Sequence, residues 1–234
     1  MSALIETLRR RLPAERVITD ELRRLAYGTD GSFYRLIPEV VAVVDNEDEV
    51  REVVDIARQY RRPVTFRAAG TSLCGQAVTD GVLVLLGDGL ATCHIAADGC
   101  TVQVGPAIVG ADVNRRLAPL GRKIGPDPAS INAAKIGGIA ANNSSGMCCG
   151  TAQNSYNTLA AIRVLFADGS LLDTGDAANV AEFRDSHAEL LQRIATLAAE
   201  VRADAELAAR IRSKYKIKNT TGYSLNALVD FDDP

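Results

Sequence analysis

The sequence predicts an α+β fold in which a small parallel β-α-β unit is followed by mainly antiparallel strands and then by helices. Three observations carry that expectation. Val40–Val44 and Pro63–Phe66 are apolar runs flanking a segment whose Val50, Val53, Val54 and Ala57 recur at helical spacing. Short apolar runs at Val82–Leu86, Ala91–Ala96 and Thr101–Val104 are separated by Gly87-Asp88-Gly89 and Asp98-Gly99, the punctuation of strand turns. Val180–Ile211 has the pattern of a long helical segment. At 234 residues, the chain is long enough for one large domain or two small ones with a substantial core.

The elements follow in order. Leu4, Leu8 and Leu12 give the opening segment one apolar face, and Pro13 ends it. Asp20 is placed to cap a short helix through Leu25, and Tyr27–Pro38 is irregular. Asn46 caps the helix after Val40–Val44, with Glu49 as its capping-box partner. The flanking strands should then lie parallel with a right-handed crossover. The runs from Val82 to Val104 form a β-rich second layer, and Val109, Val113 and Leu117 restore helical spacing. Asn132–Ala141 is expected to hold a short helix broken or capped by Gly137-Gly138, and Ala161–Ala167 pairs with Ser170–Thr174 as a hairpin. In the last helical segment, Leu190, Leu191, Ile194, Leu197, Ala198 and Val201 are the expected buried face.

Two stretches fit neither periodicity. Ile124–Thr151 carries Gly125, Gly137, Gly138, Gly146 and Gly150 with Asn142, Asn143, Ser144 and Ser145. Such turns let the backbone approach a ligand and present successive N–H groups to an anion, so a phosphate or pyrophosphate is the first ligand to consider. A Gly/Asn-rich surface loop is the plain alternative. Arg67–Gln76 follows the second parallel strand, and ligands in such sheets bind beyond the strands' carboxyl ends. Gly70 and Gly75 permit unusual dihedrals there, Thr71 and Ser72 add hydroxyls, and Arg67 either assists an anion or is buried against a carboxylate. Gly-x-x-x-x-Gly-Lys-Ser/Thr and Gly-x-Gly-x-x-Gly are both absent, which leaves a Walker-type NTPase and an NAD-type Rossmann domain unsupported. The basic run Arg212–Lys218 is read as a solvated face, with an anion-attracting rim as the alternative.

Composition narrows the classes further. A net charge of −3 and a pI of about 5.5 argue against nucleic acid as a partner. No apolar run spans a bilayer and Met1–Arg11 lacks a signal-peptide core, so the chain reads as soluble and cytoplasmic. Cys74, Cys93, Cys100, Cys148 and Cys149 show no Cys-x-x-Cys pairing, and His94 and His187 are dispersed; no metal site is expected. Adjacent Cys148 and Cys149 are read as small packing groups, with redox activity as the alternative.

Together, Phe66-Arg-Ala-Ala-Gly-Thr-Ser-Leu-Cys-Gly-Gln-Ala77, Gly125-Pro-Asp-Pro-Ala-Ser130 and Ile136-Gly-Gly-Ile-Ala-Ala-Asn-Asn-Ser-Ser-Gly146 resemble the FAD segments of the FAD-linked oxidase (vanillyl-alcohol oxidase or PCMH-type) family. Asp30–Pro38, Ala161–Gly169 and Lys218–Leu225 are similar to further segments of it, and the D-lactate and D-2-hydroxyglutarate dehydrogenase branch is most similar. The resemblance implies a PCMH-type flavin domain of two α/β subdomains, with residues 1–90 the first and 91–234 the second, and extended FAD between them.

On this resemblance, Ala69, Gly70, Thr71, Ser72, Leu73, Gly75 and Gln76 clamp the pyrophosphate and ribityl chain. Pro126, Asp127, Pro128, Gly137, Gly138, Asn142, Asn143, Ser145, Gly146, Gly150 and Thr151 wrap the rest of the cofactor. Some relatives attach FAD through a histidine in the first loop; Arg67–Gln76 has none, which implies non-covalent FAD, and Cys74 stands where serine is common. Family members continue into a further FAD-completing segment, a substrate cap and often an iron–sulfur region. Their absence here implies a truncated chain, incomplete at its C-terminal side, and no catalytic residue is carried over.

The implied function is the FAD-binding portion of a flavin-dependent 2-hydroxy-acid dehydrogenase. Hydride passes from D-lactate or D-2-hydroxyglutarate to FAD, and electrons go on to a quinone, cytochrome or other carrier. The alternatives are another flavin-dependent oxidase or reductase on the same fold, or a truncated stand-alone module that binds flavin weakly or not at all and is not catalytic by itself. A respiratory partner would place the complete enzyme peripherally at the inner face of a membrane, without insertion.

Overall fold

The computed structural model describes residues 2–219 and 223–233, so Thr220, Thr221 and Gly222 of the Lys218–Leu225 segment lie outside the described residues. Two compact units are present. The first takes the chain up to Ile124 with Ala129–Ile139 and Ala167–Gly169; the second takes Gly125–Pro128, Ala140–Phe166 and the chain from Ser170 onward. The boundary expected near residue 90 falls inside the first unit.

The first unit opens with α1 (Ala3–Arg11), β1 (Val17–Ile18), α2 (Glu21–Tyr27), β2 (Val40–Val44), α3 (Glu47–Gln59), β3 (Val64–Arg67) and β4 (Val82–Leu86). The strands form one sheet in the order β1-β2-β4-β3, with β1 antiparallel to β2, and both β2 and β3 parallel to β4. The β-α-β unit is therefore present, but β4 lies between its two strands. Val82–Leu86 is thus the centre of the parallel sheet and no part of a second β layer. Its sequence is consistent with that place, because strands buried on both faces read as unbroken apolar runs. Val40, Ala42, Val44, Val82 and Val84 turn to one face and pack with Leu4, Leu8, Val53 and Ala57 of α1 and α3. Val41 and Leu83 turn to the other, with Ile18 and Tyr27.

Local signals place the helices. Asp20 accepts from the Arg23 amide at the start of α2, and Asn46 accepts from the Glu49 amide at the start of α3. Glu49 differs from the expected capping box: its carboxylate accepts from the amide of Asp45 at 2.7 Å and pairs bidentately with Arg16 at 2.8 Å. Burial opposes ionisation of Glu49, but the Arg16 guanidinium and the Asp45 amide outweigh it and hold its carboxyl below the usual range. A carboxyl depressed by folding stabilises fully above its unfolded value, 4.5 for Glu49, and that contribution is lost as pH falls through the lower folded value. Glu49→Gln is expected to lower the melting temperature at pH 7 and to flatten its decline between about pH 5 and 3; parallel wild-type and variant curves through that window would refute the assignment.

After β4, a hairpin of β5 (Cys93–Ile95) and β6 (Val102–Val104) leads to α4 (Gly110–Leu117) and then α5 (Ile136–Ala141). Ile108, Val113 and Leu117 bury against the hairpin and Ile136. Gly137 and Gly138 lie within α5 and neither break nor cap it. Gly137 is there because a Cβ would meet the Cβ of Pro106 at 2.8 Å, while its own amide donates to the Pro106 carbonyl at 2.9 Å.

The second unit holds α6 (Ser155–Thr158), the hairpin of β7 (Arg163–Leu165) and β8 (Leu171–Asp173), and α7 (Ala177–Ser186), α8 (Ala188–Ala203), α9 (Ala205–Lys214) and α10 (Ala227–Asp230). The single helical segment expected over Val180–Ile211 is three helices. The run breaks at His187, which makes no side-chain cap, and again at Asp204, whose carboxylate caps α9 by accepting from the Leu207 amide although the apolar periodicity is nearly continuous. Only Ala198 and Val201 of the expected α8 face are buried, and Leu190 and Leu197 are 38% and 49% exposed. The largest buried apolar side chain among the unit's described residues is Phe183, stacked on His187 at 3.9 Å and beside Phe166 at 5.0 Å.

Candidate functional site

In the first unit, the segment after β3 leaves the sheet at Arg67 and contains no helix before β4. Gly70 and Gly75 have φ of +71° and +73°, the left-handed region that glycine enters without strain. Between them, Ser72 organises the loop. Its hydroxyl accepts from the amides of Cys74 and Gln76 at 3.2 and 3.3 Å and donates to the Gln76 side-chain oxygen at 2.8 Å. Gly75 packs under the Tyr34 ring, where a Cβ would come within 2.9 Å. Thr71, Leu73 and Gln76 are exposed, and Ala69 is partly buried. Among the described residues, the amide N–H groups of Gly70, Thr71, Ser72 and Leu73 have no acceptor within the chain.

Arg67 takes neither of its expected roles directly. Its guanidinium donates to the carbonyls of Thr29 at 2.6 Å and Tyr27 at 3.3 Å and lies 5.7 Å from the centroid of the Tyr27 ring. It ties the Tyr27–Asp30 segment to the end of β3. Gly138 of α5 reaches the same loop, its Cβ direction meeting the Ala68 methyl at 3.5 Å, an ordinary contact. Ala69–Gln76, Gly137 and Gly138 are thus gathered in one unit, although sequence places them far apart.

The remaining candidates belong to the second unit. Pro126 and Pro128 are buried on either side of Asp127, and Gly146 presses so closely on the Asp127 carbonyl that a Cβ would lie 1.5 Å from its oxygen. The buried Cys149 closes this turn: its sulfur accepts from the Gly146 amide at 3.0 Å. Cys149 therefore packs as expected, whereas Cys148 is exposed and does not. Ser145 is buried, and Gly150, at φ +53°, has nothing within 4 Å of its Cβ direction. Asn142 donates weakly to Ser144 at 3.4 Å. Asn143 adopts φ +44° and accepts from the Tyr156 amide at 3.0 Å.

Asn143 and Thr151 also line a cavity of about 30 Å³ with Asn154, Tyr156, Asn157 and Asn226, large enough to admit water. Sequence reasoning missed these four partners. Burial, then the nearby Asp230 charge, pushes the Tyr156 phenol upward, and its hydroxyl donates to Asp230 at 3.2 Å. The available signal was Asn154, which caps α6 by accepting from the Asn157 amide. Among the described residues, no cluster of three or more His, Cys, Asp or Glu that could hold a metal is found.

Comparison with known proteins bears on both units, since residues 38–175 match the model of a family described as the FAD binding domain. The chain belongs to that family. Its cofactor is FAD, and its fold is the α+β architecture of PCMH-type flavin domains. The chain is 30% identical over 155 residues to the glycolate oxidase subunit GlcD of Bacillus subtilis, covering 65% of this chain and 33% of that protein. It is 26% identical over 155 residues to the D-2-hydroxyglutarate dehydrogenase of Escherichia coli, covering 64% of this chain and 15% of that one. The chain therefore spans a third or less of the length of these curated relatives. Among solved structures, an alkyldihydroxyacetonephosphate synthase is similar in fold, with a TM-score of 0.63 at 17% identity over 77% of this chain and 38% of that one.

The first loop suits such a cofactor on its own geometry. Two left-handed glycines and unpartnered amides at Gly70–Leu73 leave a backbone surface that a pyrophosphate can approach and whose donors it would satisfy.

Proposed function

We propose that this chain is the FAD-binding portion of a flavin-dependent 2-hydroxy-acid dehydrogenase, with D-lactate and D-2-hydroxyglutarate ranked first as substrates. The observation that supports this most is the Gly70–Leu73 amide row, set beyond the carboxyl end of a parallel strand and stiffened internally by Ser72. Family membership and the names of the relatives supply the reaction class. In this reading Ala69–Leu73, Gly75 and Gln76 bind the pyrophosphate and ribityl chain through backbone N–H groups and the Thr71 hydroxyl. Gly137 and Gly138 keep a neighbouring wall free of side chains. Pro126–Pro128, Asn142, Asn143, Ser145, Gly146, Gly150 and Thr151 hold the remainder, their turns fixed by the Asp127–Gly146 approach.

The bound flavin supplies the hydride-accepting ring, and the protein's part is to bind and orient it. FAD is held non-covalently, because the first loop offers no histidine for attachment. Electrons leave to a quinone, cytochrome or other carrier. We assign the protein to the cytoplasm, with peripheral membrane association in the complete enzyme. Among the described residues, no helix is long and apolar enough to cross a membrane.

The 234-residue protein is expected to bind added FAD with quenched flavin fluorescence, and acid precipitation should release all of the flavin into the supernatant. Absence of binding at any FAD concentration refutes the site. Binding without reduction by D-lactate or D-2-hydroxyglutarate in the complete enzyme refutes the substrate class and leaves another flavin oxidase. Gly70→Ala should weaken FAD about tenfold or more, since the new Cβ lies 2.4 Å from the Arg67 guanidinium and forces a left-handed alanine.

A further inference from the structure

Asp30 stands outside every loop so far assigned to the cofactor, yet it touches the first of them. Its Oδ1 accepts from the Ser32 amide at 2.8 Å and its Oδ2 from the Ala77 amide at 3.3 Å. The next residue, Gly31, donates its amide to the Gly70 carbonyl at 2.9 Å, and a Cβ at Gly31 would meet the Ser72 carbonyl at 2.8 Å. Ser32 continues the contact by accepting from the Tyr34 amide at 3.1 Å, which sets the Tyr34 ring over Gly75. On the other side, Arg67 holds Thr29 and Tyr27 by their carbonyls. The segment Tyr27–Tyr34 is therefore fastened to the glycine loop at its start, its middle and its end.

Orientation matters as much as contact. The Gly70 carbonyl is turned to the Gly31 amide, while the amides of Gly70–Leu73 have no acceptor among the described residues. A carboxylate is the suitable fastener at Ala77 because both of its oxygens accept, whereas an amide side chain offers one acceptor and one donor. Burial disfavours the charged form of Asp30, but the Ser32 hydroxyl, the Ser32 and Ala77 amides and the Arg67 charge outweigh it, and the carboxyl is held below its usual range. The group is ionised at neutral pH and keeps both acceptors.

We propose that Asp30 is the positioning residue of the cofactor's first loop, clasping Ser32 and Ala77 so that the Gly70–Leu73 amides stay open to the pyrophosphate. The inference rests on the flavin reading for its ligand but not for its geometry, and its test separates the two. In the 234-residue protein, Asp30→Ala and Asp30→Asn are compared with wild type for FAD and ADP binding, for melting temperature, and for hydrogen exchange of the Ser32 and Ala77 amides without ligand. FAD and ADP are expected to weaken together by about tenfold in the alanine variant, the loss of a charge-assisted hydrogen bond. The asparagine variant should recover part of that, and the Ala77 amide should exchange faster in both.

A purely structural residue would lower the melting temperature while leaving the affinities of the folded fraction unchanged, and that result overturns the proposal. So does unchanged exchange at Ala77. If wild type binds neither FAD nor ADP, the flavin reading falls. Exchange at Ser32 and Ala77 then decides alone whether Asp30 holds the loop.

Discussion

Gly146→Ala is expected to be the most damaging single methyl group in the second unit. The added Cβ would sit 1.5 Å from the Asp127 carbonyl oxygen and 2.6 Å from its carbonyl carbon, and both are backbone atoms with no rotamer to change. One of two chain segments must move. Moving Gly146 breaks its amide's bond to the buried Cys149 sulfur, and moving Asp127 displaces a backbone pinned by buried Pro126 and Pro128. Overpacking against side chains costs about 1–3 kcal/mol, and a rigid backbone neighbour puts this case at the upper end or beyond. A loss of about 3 kcal/mol lowers the melting temperature by roughly 6–12 °C in a chain of this size. Gly150→Ala is the control, because nothing lies within 4 Å of its Cβ direction and only its left-handed φ of +53° is strained. Equal melting temperatures for Gly146→Ala and wild type would show that the two segments do not meet as described.

The fold was legible where one local rule acted alone. Asp20 and Asn46 cap the helices they were expected to cap, because a short acceptor before an apolar periodicity has few other uses. Val40–Val44 matches its strand residue for residue. Rules that depend on tertiary partners were not legible. Nothing in Val82–Leu86 says that it inserts between β2 and β3, since an apolar run fits any buried strand equally well. Likewise Leu190 and Leu197 have core-like spacing but stay exposed, and Asp204 ends α8 within a continuous helical pattern.

For the candidate site, composition and glycine placement revealed the two loops but not what fixes them. Gly70 and Gly75 were expected to adopt unusual dihedrals and do, with φ of +71° and +73°. Its sequence context suits Arg67 to an anion or a carboxylate, yet it donates to backbone carbonyls, which a sequence does not display. The Asp30 clasp and the Asn154–Tyr156 wall arise from amide groups, and every residue but proline carries one. Only the fold selects which of them need an acceptor.

Leu83→Ala tests how far the first unit's core governs the loop. Leu83 is fully buried in β4, opposite Val41 on one side and Thr65 on the other, and packs with Ile18, Val41 and Tyr27. Truncation removes its transfer energy and leaves a cavity in a face built from few side chains, at a cost of about 3 kcal/mol. Phe66→Ala on the neighbouring strand should cost much less, because Phe66 is 47% exposed. The position carries a functional consequence too, since Arg67 is held in register by Leu85, two residues further along β4. Tyr27 packs on the Leu83 cluster and supplies one of the carbonyls that Arg67 holds. Loosening that face should therefore weaken FAD as well as the fold, and saturating FAD should restore part of the melting temperature by binding only the native state. A variant that melts early yet binds FAD at wild-type affinity when folded would separate core from loop and place the loop's rigidity in the Asp30 and Arg67 contacts alone.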